Sequence, residues 1–271
     1  MENKTKENKI ASLYEVEDTI TFQLGENNYT SKGSYYIHLE KNPQSQNQII
    51  LNRSSFRIDD KEVEKKFPKI SNLYFSSIFP LILTHHDGNY LIAEFKETAK
   101  RIMEHDQNIR NNYSGDGLEY IREQFLNRVK NQTDFKDFIE QLPLYQILNI
   151  SASPKFKKEQ FHFKWNIAGL GIIEGIGNFK LTSETNKMNF ILDQTDKTHF
   201  IELLENYIEE NSILTPLNKD LDIPEIYFSM QTTYSDSLSS ILNAKAELQI
   251  TIGEKFKYNQ TFFLTLSPTN N

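Results

Sequence analysis

Tyr14, Val16, Ile20, Phe22 and Leu24 fall on one parity of a two-residue alternation, which predicts a strand with one dry face. Gly25-Glu26-Asn27-Asn28 supplies a turn, and strand signals return at Tyr35, Ile37 and Leu39 and at Ile50, Phe56 and Ile58. The first quarter therefore reads as a β-meander behind a solvated tail, residues 1–9. Around Phe67-Pro68 the pattern is ambiguous. Beyond it, two apolar runs between Ile78 and Phe95 flank His86-Asp87-Gly88-Asn89, and the Asp-Gly pair signals a hairpin turn.

From about Glu94 the period lengthens: Phe95, Ala99 and Ile102 have helical spacing, in a stretch that ends near Asn111-Asn112. Asp116 and Glu119 have capping-box spacing ahead of the stripe Leu118, Ile121, Phe125 and Val129. Thr133 is placed to cap a third helix with the core face Phe135, Phe138, Ile139 and Leu142, and Pro143 limits its extension. The nearest candidate for a boundary is Ser151 to Lys158. Alternation then resumes with Phe161, Phe163, Trp165 and Ile167 opposed to His162, Lys164 and Asn166, and continues through Phe179-Leu181 and Met188-Phe190-Leu192. Phe200, Leu203, Leu204, Tyr207 and Ile208 form the stripe of a covering helix. Strand patterns at 226–230, 244–252, 256–258 and 262–266 complete the chain, the last two long runs separated by Gly253-Glu254-Lys255.

Because strands come in consecutive runs, the expected class is α+β. The architecture it implies is an antiparallel, curved β-sheet built from strand-rich parts at 10–93 and 159–268. A mostly helical segment at 94–150 and one further covering helix complete it, and the two strand-rich parts are compatible with a single domain.

Composition refines this picture. The 271 residues are only 38% hydrophobic, but 19 Phe and 13 Tyr provide large apolar units, enough for a core without staples. The absence of cysteine excludes disulfides, thiolate catalysis and thiolate zinc sites. Met1–Lys9 is polar and lacks the apolar core of an export signal, so a cytoplasmic location is expected. No apolar run approaches the ~20 residues of a membrane-spanning helix. The net charge of -7, with only 6 Arg among 30 basic residues, argues against nucleic acid as a partner. The basic-aromatic run Lys155-Phe156-Lys157-Lys158 leads into a strand whose aromatics share the buried parity.

Candidate chemistry is sparse. Gly169, Gly171, Gly175 and Gly177 cluster after Trp165, yet a dinucleotide loop requires glycine where Glu174 stands and a helix where Asn178-Phe179-Lys180-Leu181 reads as strand. The glycines are expected to serve a bulge or close backbone packing, and Trp165, Gly169, Gly171, Glu174, Gly175 and Gly177 are the candidates for contact with a ligand or partner. His85 and His86 point to opposite faces of a strand and form no metal pair. No catalytic residue, metal site or cofactor is assigned. The first functional expectation is a non-enzymatic protein that binds another protein, a second copy of itself included. The alternatives are a carrier of a lipid or other apolar small molecule in a sheet-lined cavity, and an enzyme with an unfamiliar site.

Overall fold

Alternating burial along Ala11–Leu24 (β1) sets the frame of the computed structural model, which describes residues 11–93, 95–152, 160–167, 169–182, 186–215, 217–218, 221–235 and 240–268. Tyr14, Val16, Phe22 and Leu24 turn into the core, and the opposite parity, with Glu15, Glu17, Thr19 and Thr21, turns outward. β1 pairs antiparallel with Asn27–Lys41 (β2) on one side and with Phe256–Leu266 (β12) on the other. Beyond β2 come Gln48–Ile58 (β3), Leu81–His86 (β5) and Asn89–Ile92 (β6), with the short Lys61–Glu62 (β4) on the far end of β3. Beyond β12 come Ile241–Ile252 (β11), Glu225–Tyr234 (β10), Lys187–Thr195 (β9), Gly171–Thr182 (β8) and Gln160–Ile167 (β7).

Among the described residues the result is one open antiparallel sheet of 12 strands with 6 helices, 47% of the structure being strand and 31% helix. This corrects the expected α+β arrangement of a sheet with a helical middle segment and one covering helix. A helix, Lys66–Ser76 (α1), stands inside the part expected to be β-rich. Its signal was obscured at Phe67-Pro68, because Pro68 lies in the first turn, where a missing N–H costs nothing and proline is compatible with helix. The Asp87-Gly88 hairpin forms as expected between β5 and β6.

Phe95–Asn112 (α2), Asp116–Arg128 (α3), Gln132–Glu140 (α4), Pro143–Ser151 (α5) and Lys197–Glu210 (α6) complete the helices. Two caps differ from expectation. Asp116 is already inside α3, behind Gly115 with φ 105°, and the cap of α4 is Asn131, whose side chain accepts from the Asp134 N–H at 3.0 Å. α5 is apolar on nearly every side, burying Leu144, Tyr145, Ile147, Leu148 and Ile150, and so lies inside the molecule. Both margins of the sheet meet it or the turn before it. Tyr145 Oη donates to the Tyr90 carbonyl, the Tyr90 N–H donates to Asn149 Oδ1 at 3.0 Å, and on the other margin the Asn166 N–H donates to the Gln141 carbonyl at 3.3 Å. Among the described residues no helix is long and apolar enough to cross a membrane. The run Lys155–Lys158 lies outside the described residues.

Candidate functional site

Two polar residues stand on the dry parity of adjacent strands. Asp18 interrupts the series Tyr14, Val16, Ile20, Phe22 on β1, and Gln260 interrupts Phe256, Tyr258, Phe262, Leu264 on β12. The register sets Asp18 opposite Phe262 and Ile20 opposite Gln260, so the two polar groups are diagonal neighbours on one face. Gln260 Nε2 donates to both carboxylate oxygens of Asp18, at 2.8 and 3.1 Å. Gln260 Oε1 accepts from Trp165 Nε1 and from Tyr258 Oη, both at 2.8 Å. Trp165 is fully buried, stacked on Phe163, and holds the orientation of the amide that reaches Asp18.

Asp18 opens onto a cavity of about 180 Å³ between sheet and helices. The sheet side is Asp18, Tyr35, Leu51, Leu81 and Phe262; the helical side is Phe75 and Phe79, with Ile139 of α4 and the 142–145 turn into α5. Burial pushes the Asp18 carboxyl up to about 6 against the opposing hydrogen bonds from Gln260. The other ionisable groups on the wall are the phenols of Tyr35 and Tyr145, and burial pushes both above their ordinary range. Asp18 is therefore the one lining group that carries charge near neutral pH. It has no ion-pair partner among the described residues.

The nearby cation is turned elsewhere. The Arg53 guanidinium stacks on Tyr35, Phe56 and Phe75 at 4.7, 4.3 and 5.0 Å from the ring centroids and donates to Asn72 Oδ1 at 2.8 Å. Burial lowers it to about 10, so it stays charged at neutral pH. The helical roof is fastened by charged hydrogen bonds. Arg101 of α2 donates to the carbonyls of Ser77, Ile78 and Pro80, at 3.1, 2.7 and 2.9 Å, and so fixes the Phe79 connector. Asp106 accepts from Tyr74 Oη at 2.7 Å and from Arg122 Nε at 2.9 Å, tying α1, α2 and α3 together behind Phe75.

The residues singled out in the sequence lie mostly away from this cavity. Gly169 and Gly171 form the β7–β8 turn, with φ 83° and 137°. Glu174 faces outward and pairs with Lys164 at 3.1 Å. A Cβ at Gly175 would stand 2.3 Å from the Gln194 carbonyl and one at Gly177 2.1 Å from the Phe190 ring, and the register with β9 shifts between Ile176 and Gly177. Of that group only Trp165 touches the site, through Gln260. His86 is exposed beside Asp87, and no cluster of three potential metal ligands occurs among the described residues.

What fold and cavity define is a class: a helix-covered open antiparallel sheet with an apolar chamber on its inner face. No known protein family and no curated protein matches the chain. A solved structure concerning lipid–protein interactions in lipovitellin is similar at a TM-score of 0.47 and 10% identity, over 95% of this chain and 25% of that one. The chain thus spans about a quarter of the length of that neighbour.

Proposed function

We propose that this protein binds an apolar small molecule in the chamber between the inner face of its sheet and helices α1, α4 and α5. The observation that supports the reading is the partly enclosed, aromatic- and aliphatic-lined space of about 180 Å³ with a single carboxyl at its wall. Dry apolar cavities of about 150 Å³ take up benzene, so a single ring or a short alkyl chain is the scale of occupant that fits. The test has two parts. Organic extraction of protein purified from its source, followed by mass spectrometry, should release a stoichiometric apolar compound. Toluene should bind saturably to the emptied protein, and Leu81→Trp, which places an indole in the space, should abolish that binding. Neither an extractable compound nor saturable toluene binding would remove the reading.

A second reading, a protein partner, draws support from Leu214, 99% exposed, and from Leu221 and Ile223, which stand out between α6 and β10. Native mass spectrometry should then show a stoichiometric companion chain, and a bare monomer would count against it.

A further inference from the structure

We infer that the chamber selects molecules carrying a basic nitrogen at one end, with the Asp18 carboxylate as their receptor. This rests on the small-molecule reading above and adds to it the chemical class of the occupant.

The argument starts from an imbalance. A carboxylate offers about four acceptor positions, and among the described residues the Asp18 carboxylate receives hydrogens from one amide only, that of Gln260. No cation pairs with it among the described residues. Taking a carboxylate out of water without a counter-charge is costly, and proteins ordinarily place a cation or several N–H donors around it. Here the remaining acceptor positions face a space that water or a ligand must fill, and the rest of the wall is hydrocarbon apart from two phenols. Of those, Tyr145 is already committed to the Tyr90 carbonyl.

The fixed geometry sharpens the point. Trp165 and Tyr258 both donate to Gln260 Oε1, which forces the Gln260 amide to present its NH₂ to Asp18. The network therefore keeps Asp18 as an acceptor, and among the described residues no other side chain donates to it. An ammonium group supplies the missing charge and up to three N–H donors in one atom. A carboxylate-bearing ligand such as a fatty acid would set like charge against like, and the Arg53 guanidinium is stacked on the Tyr35 and Phe75 rings and does not line the chamber.

Three single-ring probes test this on the full chain: benzylamine, toluene and benzoate, titrated near pH 7 with calorimetry and the fluorescence of Trp165, the sole tryptophan. Benzylamine should bind at least about tenfold more tightly than toluene, the scale of one charge-assisted hydrogen bond. Asp18→Asn should erase that preference, with an unchanged far-UV circular dichroism spectrum and cooperative urea unfolding showing that the variant is folded. Toluene equal to benzylamine in the parent protein, or a preference for benzoate, would overturn the assignment of Asp18 while leaving the chamber as a binding site. If none of the three binds, the small-molecule reading itself fails.

Discussion

At Asp18 the molecule carries a charge that works against its own stability. Folding raises the carboxyl from 3.8 to about 6, so between those values the folded state holds a proton that the unfolded state has lost. Stability from this group is present below pH ~4, is lost as pH rises through about 6, and the full cost, about 2–3 kcal/mol by the shift, applies near pH 7. The other ionisable groups on the chamber wall, Tyr35 and Tyr145, stay neutral through this range, and Arg53 stays charged, so none of them masks the trend. Asp18→Asn should therefore stabilise the protein near pH 7 by roughly that amount, with the gain vanishing below pH ~4. Urea denaturation across pH checks it, and a pH-independent effect of the substitution would contradict it. Asp18 was legible in principle: it is the one acid on the apolar parity of β1, as Gln260 is the one amide on that of β12. What no single strand reveals is that the register makes them diagonal neighbours, since that pairing joins residues 242 positions apart.

At the scale of elements, the glycines of β8 act through what they leave out. Alanine at Gly177 would bring Cβ to 2.1 Å from the Phe190 ring, which itself packs against Phe163 and Phe228. Gly177→Ala should destabilise the fold by about 1–3 kcal/mol, the usual cost of overpacking, with the Phe190 ring shifting in a structure of the variant. A neutral effect in thermal denaturation would mean that Phe190 has room to move. The glycine cluster in the sequence pointed to this register shift, because a strand rich in glycine needs a reason for its missing side chains. Helix α1 was not legible in the same way. Its apolar positions Phe67, Ile70 and Tyr74 keep helical spacing, but Pro68 in the first turn reads locally as a break, and tertiary hydrogen bonds such as Tyr74 to Asp106 hold it in place.

For the whole molecule, the decisive pairing is β1 with β12. Eleven cross-strand partners, from Tyr14 with Leu266 to Leu24 with Phe256, join the first strand to the last and merge the two strand-rich parts into one sheet. Unfolding should therefore be a single transition. Trp165 fluorescence, which reports the β7 side, and far-UV circular dichroism should give coincident urea midpoints, and two separated midpoints would show that the halves stand alone. Local alternation announced that each part has a dry face; that the two faces are the same face follows only from which termini meet.

The seating of both sheet margins on α5 has one more consequence. An open sheet ordinarily offers its outermost strands as templates on which a stranger's strand can grow, the first step toward fibres. Here the rim at Tyr90 and the rim at Asn166 have already spent backbone groups on the same buried helix and its leading turn. A strand added at either of these two points would have to displace contacts to that helix or its leading turn, so the element that roofs the chamber also covers part of each rim.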